Sequence, residues 1–301
     1  MFVKRLSKFE YHVPISLSEA LELLAKYDGK ARVFAGGTDI LVSMKKREIL
    51  PEHLINLKGI AELKGIYYDE KEGIKIGALT TLTEIEHSEI VKEKFCVLWD
   101  AVRMMASPQI KSLGTIGGNL CGAVPSADTA PPLIALGASV RMVGIHGERS
   151  VLVENFFKGP KESALQRNEI LTQILIPNPL PTSSGTYLKL MRRNAMDLAL
   201  VGVAACIRLD LKRKVCTEAR IALGAVAPTP IRAMQAEQIL IKKKIDEALA
   251  GEAGRAAATV CRPISDIRSS LEYRCSMVEV LTKRAVMDAY QRIISKDDLK
   301  R

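Results

Sequence analysis

The residues best placed for chemistry in this chain are backbone donors rather than reactive side chains. "VFAGGTDI", residues 33–40, sets Gly36-Gly37 and Thr38-Asp39 after an apolar run, and "TIGGN", residues 115–119, repeats the arrangement within "GTIGGNLCGAVPSADTAPP". Consecutive N–H groups exposed in a tight turn, above all ahead of a helix N-terminus, form a concave donor surface for an anion, and glycine removes the Cβ that would hold a phosphate off. Two such turns suit a diphosphate. An ordinary tight turn would use the same residues, so each Gly-Gly pair alone leaves both readings open. The dinucleotide fingerprint G-x-G-x-x-G and the phosphate loop G-x-x-x-x-G-K-[ST] are absent, which disfavours the two commonest glycine-rich nucleotide sites.

Nucleophiles and metal ligands offer less. His12, His53, His87 and His146 share no motif, so neither a histidine base nor a metal site is expected. Cys96, Cys121, Cys206, Cys216, Cys261 and Cys275 are scattered without a CxxC pair; they fit reduced thiols better than a disulfide framework and give no zinc or iron–sulfur signature. Cys121, directly after "GGNL", reads as a small buried residue.

Around these residues lies enough chain for a large core. At 301 residues and 48% hydrophobic, two domains are the natural expectation. There is no long apolar run, and "MFVKRLSKFEYHVP" lacks an apolar export segment, so a cytoplasmic protein without a membrane span is expected. A net charge of +10 raises the question of nucleic acid, but the basic residues fall in short separated runs at 45–47, 212–214 and 242–244, and aromatics are only 5% with none interleaved for stacking. Solvated faces or a docking surface explain them better.

The elements that must position the glycine stretches follow from periodicity. "SLSEALELLAKYDGK" reads as an amphipathic helix with Ser16 or Ser18 as N-cap and Gly29 after its end. "ARVFAGG" reads as a strand stopped by Gly36-Gly37, followed by a helix over "ILVSMKKREI". Strands are predicted at "HLINL", on both sides of a turn near Glu72-Gly73, in a hairpin turning at His146-Gly147, and at "EILTQILIP"; helices are predicted over 83–106 and at "PPLIALGA". "IPNPLPTSSG", residues 176–185, is the candidate linker. Beyond it, three strand-like runs ("TYLKLMRR", "LALVGVAACIRLDL", "KVCTEARIALGAVA") and helices over 231–261 and 272–295 predict an antiparallel three-stranded sheet backed by helices.

"AGGTDILVSMK", "IGALTTLTEIE", "QIKSLGTIGGNL", "PSADTAPPLIALGA", "EILTQILIP", "RNAMDLALVGVA", "LGAVAPTPIRA" and "DIRSSLEYR", in that order over almost the whole chain, resemble the FAD-binding middle subunit of the molybdenum hydroxylases, the group of carbon monoxide dehydrogenase and xanthine dehydrogenase. The resemblance implies an α+β fold: a two-part vanillyl-alcohol-oxidase (PCMH) type FAD domain over 1–178, with subdomains of about 1–57 and 58–178, then a small sheet-and-helix domain over 184–295. It also implies site residues. Val33, Phe34, Ala35, Gly36, Gly37, Thr38, Asp39 and Ile40 would wrap the FAD pyrophosphate, and Thr115, Ile116, Gly117, Gly118 and Asn119 would complete the cradle. Asp128 would accept hydrogen bonds from FAD hydroxyl or amine groups, Leu171 would pack by the flavin, and Lys189 would put a positive charge beside it. Met105 stands where relatives often have an aromatic residue.

Plainer readings stand beside these. Asp128 could simply cap the following helix and Lys189 could be a solvated strand charge. Asp197 with Arg192 and Arg193, and Asp266, Arg268, Tyr273 and Arg274, read as structural ion pairs, the latter group fixing the last helix on the sheet. By resemblance the chain is the electron-exit module of a three-part enzyme, expected as a dimer of heterotrimers, with molybdopterin and [2Fe-2S] on partner subunits, non-covalent FAD here, and NAD+ or another acceptor. No residue of this chain then needs to be a catalytic acid or base. A self-contained flavin oxidase would often carry a histidine for covalent FAD in the first glycine turn, and "FAGGTDI" has none. A flavoprotein that keeps the fold without the chemistry is the other alternative.

Overall fold

The computed structural model describes residues 5–193 and 196–298, so Asn194 and Ala195 of the "RNAMD" stretch lie outside the described residues. The first lobe contains β1 (Glu10–His12), α1 (Leu17–Lys26), β2 (Ala31–Phe34), α2 (Ile40–Lys46) and β3 (His53–Asn56). Its three strands form a parallel sheet in the order β1-β3-β2. Of the two candidate caps, Ser16 is the one used: its Oγ accepts the Glu19 amide at 3.2 Å, and α1 buries Ala20, Leu21 and Leu24 against Ala31 and Ile55. The short strand β1 was not predicted.

The second lobe runs through β4 (Ile66–Asp69), β5 (Gly73–Gly77), α3 (Leu82–Glu86), α4 (Glu89–Lys94), α5 (Cys96–Met104), α6 (Pro108–Lys111), α7 (Ile116–Cys121), α8 (Ala130–Ala135), β6 (Ser139–Gly144), β7 (Gly147–Leu152), β8 (Phe157–Gly159), β9 (Glu162–Ser163) and β10 (Glu169–Ile176). Five of these strands make an antiparallel sheet in the order β4-β5-β10-β6-β7. The single helix predicted over 83–106 is three: a Thr81–Glu84 capping box starts the first, and Phe95, at φ −120° and ψ 43°, turns the chain so that Val91, Phe95 and Leu98 all reach the core. Gly117-Gly118 is a second difference. These glycines form the first turn of α7, capped by Thr115, rather than a turn at positive φ.

The last part comprises β11 (Ser183–Leu190), β12 (Val201–Asp210), β13 (Val215–Gly224), β14 (Ile231–Arg232), α9 (Met234–Leu240), α10 (Glu247–Thr259) and α11 (Leu271–Asp298). The predicted three-stranded antiparallel sheet carries β14 as a two-residue fourth strand. The helix expected over 231–261 is split because Asp246 caps α10, accepting the Leu249 amide at 2.8 Å. The linker is shorter than expected: Gly185 lies inside β11, where a Cβ would be 2.7 Å from Val97 of α5 and would overlap the Ala205 carbonyl of β12. This sheet is covered on both faces. Val201, Val203, Ala205 and Ile207 pack with α10 and α11, while Tyr187, Ala204 and Ala222 join the core of the second lobe. Asp100 of α5 ties the two together, accepting from the Thr186 hydroxyl at 3.0 Å and from Arg292 of α11 at 2.9 Å.

Arg274 fixes α11 as expected, donating to the Leu200 carbonyl and to Asp266, both at 3.0 Å, while Tyr273 remains half exposed. Asp197 accepts the backbone amides of Arg192 and Arg193 at 2.9 and 3.2 Å, so its role is a turn closure more than an ion pair. The Arg268 hydrogen bond, more than the Arg274 charge, holds the Asp266 carboxyl well below the usual carboxylate range. A depressed carboxylate stabilises fully above its unfolded value and loses that contribution as pH falls from there towards the folded value. Urea unfolding should therefore find Asp266→Asn less stable than wild type at neutral pH, with the gap closing as pH falls below about 3.9.

Candidate functional site

The two glycine stretches meet. A Cβ on Gly36 would overlap the carbonyl oxygen of Leu113 and lie 3.1 Å from Cα of Gly114, so only glycine allows these backbones to approach. Gly37 is required for a different reason: its φ is +78°, and a Cβ there would lie 2.7 Å from the Phe34 ring. Thr38 sits over Gly114, and the exposed Asp39, which makes no side-chain capping bond to α2, reaches towards Gly122 at the end of α7. Val33 and Phe34 are held by the β2–β3 pairing, and Ile40 begins α2.

The hydrogen bonds divide the work between the stretches. The amides of Gly36, Gly37, Thr38 and Asp39 have no acceptor among the described residues. In the second stretch the amides are already engaged: Ile116 donates to the Thr80 carbonyl at 3.1 Å, Gly117 to that of Ala78 at 2.9 Å, Gly118 to the Thr115 hydroxyl at 3.1 Å and Asn119 to the Thr115 carbonyl at 3.0 Å. The first turn thus offers donors and the second offers shape. Gly117 lies so close to Ala78 that a Cβ would be 2.7 Å from its side chain, whereas the exposed Gly118 has only the Thr115 hydroxyl, 3.0 Å from such a Cβ, within reach.

Contacts lead from these stretches to the other expected residues. The Thr129 hydroxyl donates to Asn119 Oδ1 at 2.6 Å, tying the second stretch to the Asp128 segment. Asp128 is buried and accepts the Tyr187 hydroxyl at 2.7 Å on one oxygen and Lys189 Nζ at 2.8 Å on the other. Neither plain expectation holds for the pair: Asp128 does not cap α8, whose N-cap Thr129 makes no side-chain capping bond, and Lys189 is buried rather than solvated. Its charge is balanced by Asp128. Leu171 is buried in β10 beside a bulge at Thr172, whose carbonyl accepts the Ala78 amide at 2.9 Å. Met105 shares the same core as Leu171, Ile116 and Tyr187. Tyr187 is the residue that sequence reasoning missed, although its two-residue spacing from Lys189 on one strand face was a usable signal.

Burial pushes the Asp128 carboxyl above the usual range against the pull of Lys189 and the Tyr187 hydroxyl, and burial with the Asp128 charge pushes Tyr187 well above an ordinary phenol. Tyr187 is therefore a donor at neutral pH. Desolvation pushes the Cys121 thiol up to about 12, which keeps it protonated and unsuited to nucleophilic or redox work.

Comparison with known proteins gives the arrangement its family. Residues 7–179 match the family described as the FAD binding domain in molybdopterin dehydrogenase, and residues 186–289 the CO dehydrogenase flavoprotein C-terminal domain. The chain belongs to the flavoprotein subunits of the molybdenum hydroxylases. It is 34% identical over 285 residues to the carbon monoxide dehydrogenase medium chain of Hydrogenophaga pseudoflava, covering 95% of this chain and 98% of the relative. It is 32% identical over 280 residues to the xanthine dehydrogenase FAD-binding subunit of Escherichia coli O157:H7, covering 93% and 95%. The fold of carbon monoxide dehydrogenase from H. pseudoflava superposes with a TM-score of 0.92 at 34% identity over 96% of this chain and 99% of that one, and quinoline 2-oxidoreductase from Pseudomonas putida 86 with 0.90 at 31% identity over 96% and 99%. These oxidoreductase subunits share the two-lobed FAD domain and small antiparallel sheet described above. Among the described residues no helix is long and apolar enough to cross a membrane.

A buried ion pair broken on one side leaves an uncompensated charge, which costs about 3–5 kcal/mol. Lys189→Met should thus lower unfolding stability by about that amount, and adding Asp128→Asn should recover much of it; additive losses in a urea double-mutant cycle would show that the two groups do not act as a pair.

Proposed function

We propose that this flavoprotein subunit is the electron-exit module of a molybdenum hydroxylase complex. Partner subunits carry the molybdopterin centre and [2Fe-2S] clusters, and electrons leave from this chain to NAD+ or another acceptor. The observation that carries the reading is the row of unpartnered amides at Gly36–Asp39, lodged where glycine alone fits against Leu113 and Gly114. Bound FAD supplies a carrier that accepts electrons singly and releases them as a hydride or one at a time.

The residues present fit that cofactor. Gly36, Gly37, Thr38 and Asp39 hold the pyrophosphate with backbone donors, while Gly118 keeps the facing wall free of a side chain and Asn119 is oriented by Thr129. Asp128, Tyr187 and Lys189 form the polar wall supplied jointly by the loop before α8 and by β11. A buried ion pair is weak support for stability in itself, because desolvation offsets its Coulomb energy. Its place here is better explained by a ligand: paired with Asp128, Lys189 presents a donor of fixed direction rather than a free cation. Leu171 and Met105 supply the apolar packing beside it. The domain division at 1–178 and 184–295 belongs to the same reading, as does a cytoplasmic location, which the six free cysteines support.

The test is the anaerobic visible spectrum of the purified chain with FAD and then NADH. A bound-flavin spectrum that bleaches with NADH is the expected result; a chain that takes up no FAD at any concentration would overturn the reading. Gly118→Val should weaken FAD binding by two orders of magnitude or more, roughly the loss of about 3 kcal/mol, with an unfolding midpoint close to wild type. Full flavin occupancy in that variant would remove the second stretch from the cradle.

A further inference from the structure

Two of the histidines expected to be unrelated, His12 and His53, are brought together by β1, the strand that was not predicted. Glu10 and His12, two residues apart on β1, share one strand face, and parallel pairing sets His53 of β3 opposite Glu10. His12 Nε2 and His53 Nδ1 are 3.1 Å apart, Glu10 Oε2 lies 3.3 Å from His53 Nδ1 and 3.8 Å from His12 Nε2. Both imidazoles are largely covered, whereas the carboxylate is exposed, so the cluster opens to solvent on one side. Tyr27, just after α1, roofs it: its ring stacks on His53 with centroids 3.6 Å apart and on His12 at 5.1 Å.

Three lone-pair atoms converging on one point repel unless a proton or a cation lies among them. A shared proton satisfies two of them. A tetrahedral ion with ligands at about 2.0–2.1 Å places those ligands about 3.3–3.4 Å apart, which the three separations bracket. Two imidazoles and one carboxylate form a set suited to zinc and its late first-row neighbours, and unsuited to calcium or magnesium, which take oxygen ligands. We propose that Glu10, His12 and His53 bind one divalent transition-metal ion of the zinc class, with solvent completing its coordination.

The site lies away from the glycine turn. His53 pairs with Ala31 at the start of β2, and the turn follows Phe34 at the other end, about 10 Å along the strand. The ion's role is therefore to clamp β1, an edge strand of three residues, onto β3 rather than to join electron transfer. Lys26, near the Tyr27 ring, and the Lys30–Glu52 pair beside His53 are the neighbouring charges, and none of them enters the cluster.

The experiment uses the full chain stripped with a chelator, titrated calorimetrically with zinc chloride and spectroscopically with cobalt(II). One equivalent should bind, the cobalt spectrum should lack thiolate charge transfer, and zinc should raise the unfolding temperature. His53→Ala and the more conservative His12→Gln, each checked for cooperative unfolding, should bind at least about tenfold more weakly and lose the zinc-dependent shift. Binding that is unchanged in both variants, cobalt bands showing thiolate ligation, or no saturation by zinc below millimolar concentration would overturn the site. FAD binding by the metal-free chain is measured in parallel, so failure of this proposal and failure of the flavin reading are told apart.

Discussion

The approach of the Gly36 backbone to the carbonyl of Leu113 is the constraint on which the site depends, because it joins the two lobes of the FAD domain through backbone atoms with no room for a side chain between them. A side-chain contact could relax by changing rotamer; this one cannot. The position of the second stretch is fixed in turn by the Ile116 and Gly117 amides on the 78–80 segment, and by the Thr129 bond to Asn119. The first turn can then keep its amides unpartnered, since other contacts hold it in place. Several backbone donors without protein acceptors, gathered at one partly covered turn, are what the proposed diphosphate site requires.

The C-terminal sheet extends that logic. Tyr187 and Lys189 project from β11 onto Asp128, and Gly224 of β13 lets Pro131 of α8 pack where a Cβ would lie 2.7 Å away. The small domain is thus a wall of the site as well as a separate core. Asp100 supports the same wall from behind through Thr186 and Arg292. In the proposed reading such a subunit would position its cofactor by shape and backbone polarity.

Much of this was legible in the sequence where a local signal and the fold agree. Ser16 and the 3.6-residue pattern gave α1, Gly36-Gly37 marked the stop after β2, and the long alternating runs gave β11, β12 and β13. The missed features depend on partners distant in sequence. β1 is three residues of Glu-Tyr-His with no apolar alternation, and exists because β3 pairs with it. The break at Phe95 follows from three-dimensional packing of a ring, and Gly117 is small because Ala78, far back in the sequence, lies against it. The Glu10–His12–His53 cluster becomes visible only once strand register is known.

Hydrogen–deuterium exchange with residue resolution, in the FAD-free and FAD-loaded chain, tests the central claim most directly. The account predicts that the Gly36–Asp39 amides exchange rapidly without FAD and become protected with it, while Ile116 and Gly117, already bonded to Thr80 and Ala78, exchange slowly in both states. Unchanged exchange at Gly36–Asp39 on FAD loading would contradict it, because the amides set aside for the diphosphate would then have no ligand to bind.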